Sequence, residues 1–189
     1  MKIVSYEELK DCYCQPWSGR LFELEQMVLE GLARYYLMDK DRVYASMALS
    51  RQLPYMLYSL QGEVQGKNIL DLGCGSNDRS LEGNPYIKCD AMFEPWFCRG
   101  LEFLGAHAIG IDYRGLAGED FVYYHRNLAD ADCLAMLADN SVDVANASMF
   151  FDSPFFKSKL GLDPVVVKQN LISQLKRVVK PDGMFVYSQ

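Results

Sequence analysis

The chain has no apolar stretch approaching the roughly 18 residues that a membrane-spanning helix needs, and Met1 to Glu8 hold no apolar signal core. No membrane association is expected, and a cytoplasmic location follows as the expectation. A run of Lys and Arg is also missing. The net charge is −6, with eight basic and nine acidic residues in 1–67 and eleven basic and sixteen acidic in 68–189. Proteins that bind nucleic acid present a basic stripe to the phosphates, so this balance argues against nucleic acid and for a small-molecule or protein substrate. The six cysteines, Cys12, Cys14, Cys74, Cys89, Cys98 and Cys133, fall at spacings that match no zinc or disulfide framework. No metal site is expected, and the thiols read as free. There is no internal repeat or low-complexity segment. What is present is a 189-residue chain with half of its residues hydrophobic, enough for one sizeable core with an appendage.

Two periodicities divide the chain. Over 6–60 the apolar residues Leu21, Leu24, Val28, Leu32 and Tyr35 recur at helical spacing, Ser18 is a candidate cap, and a second helical stretch after Asp39 or Asp41 meets Pro54, which kinks it or starts a new turn. Residues 1–66 therefore read as an N-terminal helical segment, either a cap over a site or a buttress. From Asn68 onward short apolar runs alternate with helical stretches, the mark of parallel βαβ units. Strands are predicted at 68–72, 106–111, 121–125, 142–147 and 184–188. Helices are predicted at 93–104, 129–137 and 164–179, the last with Asp163 as N-cap and Pro164 at its first position, and Lys180 to Gly183 should turn the chain into the last strand. The fold class is α/β, a Rossmann-like three-layer sandwich whose mostly parallel sheet of about five strands occupies 67–189.

The run Asn68-Ile69-Leu70-Asp71-Leu72-Gly73-Cys74-Gly75-Ser76-Asn77 is the most informative. A buried strand stops on a carboxylate and turns through two glycines, which lets a ligand lie against the loop's amides. A dinucleotide site would use G-x-G-x-x-G and set a pyrophosphate on a helix N-terminus, where Asp71 would repel it, and the third glycine position here is Asp78. A cationic, phosphate-free ligand fits better. S-adenosylmethionine, with its sulfonium and ammonium groups, has that charge.

At this motif the chain resembles the class I S-adenosylmethionine-dependent methyltransferases, and the resemblance covers about 65–189. It implies a cofactor site built from Asp71, Gly73, Cys74 and Gly75 in the first loop. Asp112, ending the second strand, would accept the ribose hydroxyls, with Tyr113 beside it against the adenine. Asn127 and Leu128 after the third strand would meet the adenine, with Asp130 and Asp132 as alternative acceptors. Asn146 and Ala147 after the fourth would flank the methionine portion. Two departures stand out. Residues 77–91 intervene between the glycine loop and the next helix, and the family's last two strands, an antiparallel edge pair, have no counterpart here. The fifth strand is then an exposed edge unless the N-terminal helices, a second copy in a homodimer or another partner covers it.

The expected reaction is transfer of a methyl group to a nucleophile, leaving S-adenosylhomocysteine. Such an in-line displacement needs alignment and exclusion of water more than a dedicated base, and no catalytic residue is assigned. Asp152 or His125 would be the proton acceptor if the nucleophile is a hydroxyl. The competing expectation is a noncatalytic or partner-dependent module that binds the same cofactor.

Overall fold

The computed structural model describes residues 1–13, 19–35, 52–76, 94–148 and 163–188. The elements in chain order are β1 (Lys2–Ser5), α1 (Tyr6–Tyr13), α2 (Gly19–Tyr35), α3 (Leu53–Ser59), β2 (Asn68–Leu72), α4 (Trp96–Phe103), β3 (His107–Asp112), β4 (Val122–His125), β5 (Val142–Ala147), α5 (Pro164–Val178) and β6 (Val179–Tyr187). Six described strands form one all-parallel sheet in the order β1-β6-β5-β2-β3-β4. The fold is α/β with helices on both faces of the sheet, as the alternating periodicity requires. No helix among the described residues is long and apolar enough to cross a membrane.

Side-chain alternation along the strands builds two cores. Ile69, Val144 and Val186 point to one face, where Val28, Leu29 and Leu32 of α2, Leu53, Met56 and Leu57 of α3, and Trp96, Phe97 and Leu101 of α4 cover them. Leu70, Ala145 and Phe185, one residue away in each strand, point to the other face and meet Leu171, Leu175 and Val178 of α5. The central segments 69–70, 144–145 and 185–186 are thus apolar on both sides, which is why they read as short apolar runs rather than alternating ones.

The first strand corrects the expectation of an exposed fifth strand. β1 pairs in parallel with β6, Lys2 opposite Met184 and Ser5 opposite Tyr187, so β6 lies between β1 and β5 and the edge passes to β1. The position that the resemblance gives to an antiparallel pair is taken by a parallel strand from the other end of the sequence.

Two further expectations are modified. Residues 127–137 form a chain of turns instead of an α-helix, closed by Asp130 N–H to Asn127 O, Cys133 N–H to Asp130 O, Ala135 N–H to Asp132 O and Leu137 N–H to Leu134 O. Side chains of α5 explain the outcome. Arg177 donates to the carbonyls of Leu134 and Leu137 at 2.7 and 2.8 Å, and Gln174 accepts from Leu134 N–H at 2.9 Å, so an amide that a helix would have paired internally and two carbonyls that a helix end would leave open are satisfied from outside. Lys180 to Gly183 do turn, as a wide bulge within β6. Val142 pairs with Val179 and Val144 with Met184, so four residues of β6 lie opposite Asp143 alone. Lys180 Nζ closes the bulge on Asp143 Oδ1 at 2.7 Å.

At the start of α5, Asp163 caps the helix by accepting from Val165 N–H at 2.9 Å. The expected Ser18 cap, the helical stretch after Asp39, the insertion at 77–91 and the aromatic run with Asp152 lie outside the described residues, as do Cys14 and Cys89.

Candidate functional site

All six strands run the same way, so their carboxyl ends share one rim. On that rim the order changes direction between β2 and β5: the chain proceeds from β2 to β3 and β4 on one side, then crosses to β5 and β6 on the other. The crevice of an open α/β sheet opens at such a switch point. Asp71 and Asn146 are register partners across it.

Gly73 and Gly75 have φ of +77° and +96°, a backbone region that side chains oppose, so both glycines are required by the turn. The loop's first amides face inward. Gly73 and Cys74 N–H both donate to Ile111 O, at 2.8 and 3.2 Å, and Gly75 N–H donates to Asp112 Oδ2 at 3.1 Å. These three donors are engaged by β3, which corrects the picture of a ligand lying against them. A phosphate would find none of the three free. Gly110 makes room for this turn, since a Cβ at that position would stand 2.7 Å from Cys74 Sγ.

Asp112 is buried at the end of β3 with both oxygens in use: Oδ2 takes Gly75 N–H, and Oδ1 takes Arg114 N–H at 3.0 Å and Arg114 Nε at 3.2 Å. A carboxylate has about four acceptor positions, so Asp112 keeps capacity for a further donor.

Asp71 lies deeper, 3 % exposed. Its Oδ1 accepts from Asn146 Nδ2 at 2.7 Å, and the Cys98 thiol of α4 lies 3.9 Å from Oδ2. Burial raises its pKa to about 7 against the opposing bond from Asn146, and the neighbouring Asp112 adds to the rise. Near neutral pH Asp71 therefore divides between its two protonation states. Asn146 is fully buried. Its Oδ1 accepts from Tyr6 OH at 2.6 Å, and its Nδ2 also reaches Gln52 Oε1 at 3.4 Å. Tyr6 stacks on Tyr55 with ring centroids 4.8 Å apart, and burial holds its phenol well above the ordinary tyrosine range.

A second cluster ties the loop after β3 over this rim. Arg99 of α4, almost fully buried, makes two bonds to Glu119 at 3.0 and 2.6 Å and one to Glu94 at 2.5 Å, with its guanidinium 4.4 Å from the centre of the Trp96 ring. Ser76 Oγ bonds Gly115 O, and Tyr123 OH bonds Arg114 O, so the glycine loop and β4 hold the same segment.

The sequence-derived residues thus fall into three groups. Asp71, Cys74 and Asn146 share the face covered by α4, while Gly73, Gly75 and Asp112 form the turn beside them. Tyr113 and Asn127 stand on the rim. Tyr113 is half exposed, and Asn127 Oδ1 accepts from Ala129 N–H at 3.1 Å. Leu128 and Ala147 are buried on the opposite face, in the α5 core. His125 Nε2 lies 2.6 Å from Tyr113 O. Sequence reasoning passed over Tyr6, Gln52, Cys98, Arg99 and Arg114. Arg114, two residues past Asp112, was open to a local pairing argument; the others carried no local signal.

A shallow groove lined by Phe22, Met27, Gly31 and Phe103 lies between α2 and the last turn of α4. Because α4 returns from the carboxyl ends of the strands to the start of β3, this groove is remote from the two carboxylates.

No protein-family model matches the chain, and no curated protein matches it in sequence.

Proposed function

We propose that the chain is an S-adenosylmethionine-dependent methyltransferase acting on a nucleophile of a small molecule or protein. The observation that carries this reading is the pair of buried carboxylates, Asp71 and Asp112, on either side of a glycine turn at the sheet's switch point. A nucleoside with a cationic tail needs a diol acceptor and an anionic group a short way apart, with no phosphate cradle. The residues present fit that need in kind. Asp112 is the acceptor for the ribose hydroxyls, Asp71 the group for the cationic end, and the first loop amides, bonded to β3, offer a pyrophosphate nothing.

The cofactor supplies a methyl carbon already activated by its sulfonium. The chain's part is to bind, align and keep water out. Gly73 and Gly75 supply the positive φ that the turn beside the two carboxylates needs. Arg99, through Glu119, keeps the segment after Asp112 fixed. Arg114 occupies one oxygen of Asp112, so a diol binds there by sharing or replacing the Nε bond.

Calorimetric titration with S-adenosylmethionine, S-adenosylhomocysteine and NAD tests the reading. Micromolar binding of the first two and none of the third is expected. Selective binding of NAD, or no binding of any, overturns it. Binding with no product from a broad panel of nucleophiles would make the chain a noncatalytic module.

A further inference from the structure

The orientation of a buried amide links the N-terminal strand to the crevice. Asn146 has acceptors on one side, Asp71 Oδ1 at 2.7 Å and Gln52 Oε1 at 3.4 Å, and a phenol on the other, Tyr6 OH at 2.6 Å. Two acceptors require the NH2 group, and the phenol then supplies its proton to the amide oxygen. Tyr6 follows directly on β1, whose pairing with β6 fixes where the ring stands, and stacking on Tyr55 fixes the ring itself.

We propose that Tyr6 is a positioning residue, which by bonding Asn146 holds the amide NH2 toward Asp71 and so makes the N-terminal strand set the charge that the crevice offers to a cationic ligand. Without the phenol the amide oxygen loses this donor. Turning the amide over then presents that oxygen to Asp71, where it accepts from the protonated carboxyl and no longer stabilises the ionised one. Among the described residues, the other groups facing Asp71 are Cys98 on α4, Cys74 in the glycine turn and Asp112 at the end of β3. Burial keeps the Cys98 thiol protonated, so it remains a donor in either state of the amide. Asp112 acts on Asp71 through its charge alone, raising its pKa.

This inference deepens the cofactor reading through the ammonium or sulfonium end of the ligand, yet its test does not need that reading. The titration of the Asp71 carboxyl is followed by carbon NMR in the ligand-free full chain, for the wild type, Tyr6→Phe, Asn146→Leu and the double variant. Tyr6→Phe is expected to raise the midpoint by about one pH unit, and to have no effect once Asn146 is Leu, because the phenol acts only through the amide. An unchanged midpoint in folded Tyr6→Phe, or an equal rise in both backgrounds, overturns the proposal. Should Tyr6→Phe not fold, Asn146→Leu alone decides: a raised midpoint sustains the relay and an unchanged one ends it. A second arm measures S-adenosylhomocysteine affinity against pH. Its midpoint should follow that of Asp71 in each variant. If the wild type binds no such ligand while the NMR shifts are as expected, the cofactor reading fails and the Tyr6 relay stands.

Discussion

Asp71 and Asn146 meet at 2.7 Å across the seam between β2 and β5, opposite one another in the ladder and both buried. The bond is charge-assisted when Asp71 is ionised and worth about 1.5 to 3 kcal/mol. Even so, burial wins, since the carboxyl titrates near 7 and not near 3.8.

The first consequence concerns pH. The folded value lies above the unfolded one, so the folded chain retains a proton that the unfolded chain releases between about pH 4 and pH 7. The stabilising effect is complete below that window and is lost as the pH rises through it. A shift of this size corresponds to something on the order of 4 kcal/mol. Asp71→Asn, neutral throughout, should flatten the fall in stability between acid and mildly alkaline pH. Thermal unfolding of both proteins across that range measures it; parallel curves would mean that Asp71 titrates normally.

Gly110 gives a packing test. A Cβ there comes to 2.7 Å from Cys74 Sγ and 3.0 Å from Phe121, so Gly110→Ala should destabilise by about 1 to 3 kcal/mol. Cys74→Ala removes the nearer atom and should recover part of the loss. Urea unfolding of the two single variants and the double variant gives the coupling, and strict additivity would disprove the contact.

Arg99 is the cation between Glu94 and Glu119, at 2.5 and 2.6 Å. Arg99→Leu keeps an apolar stem against Trp96 but removes the guanidinium from the buried Glu119 carboxylate, and a loss of about 3 to 5 kcal/mol is expected. Restoring stability with Glu94→Gln and Glu119→Gln added would show that the loss comes from the lost ion pairs rather than from packing.

Arg114 and the ribose hydroxyls are expected to compete for Asp112. Arg114→Ala should tighten S-adenosylhomocysteine several-fold, whereas Asp112→Ala should weaken it by about 2 kcal/mol. Calorimetry on the two variants distinguishes the roles. Equal weakening by both would make Arg114 a ligand contact instead of a competitor.

Much of the framework was legible because it is local. The strand before the glycines, the runs that became β3, β4 and β5, and the cap at Asp163 all follow from apolar periodicity and capping chemistry within a few residues. Gly73 and Gly75 were equally readable, since a tight turn after a buried strand calls for positive φ and glycine alone accepts it freely. The stretch 129–137 was misread because its apolar spacing suits a helix, while Arg177 and Gln174, some 40 residues on, offer its backbone other partners.

The sequence by itself determined the α/β class, the acidic residue ahead of the glycines and the carboxylate after the next strand, because each depends on the order of neighbouring residue types. Only the tertiary structure decided that Lys2–Ser5 would close the edge of β6, that Tyr6 would reach Asn146 from 140 positions away, and that Arg114 would already hold Asp112. Strand pairing and buried polar bonds are chosen by which distant groups must satisfy one another once water is excluded. That choice leaves no period in the chain to be read.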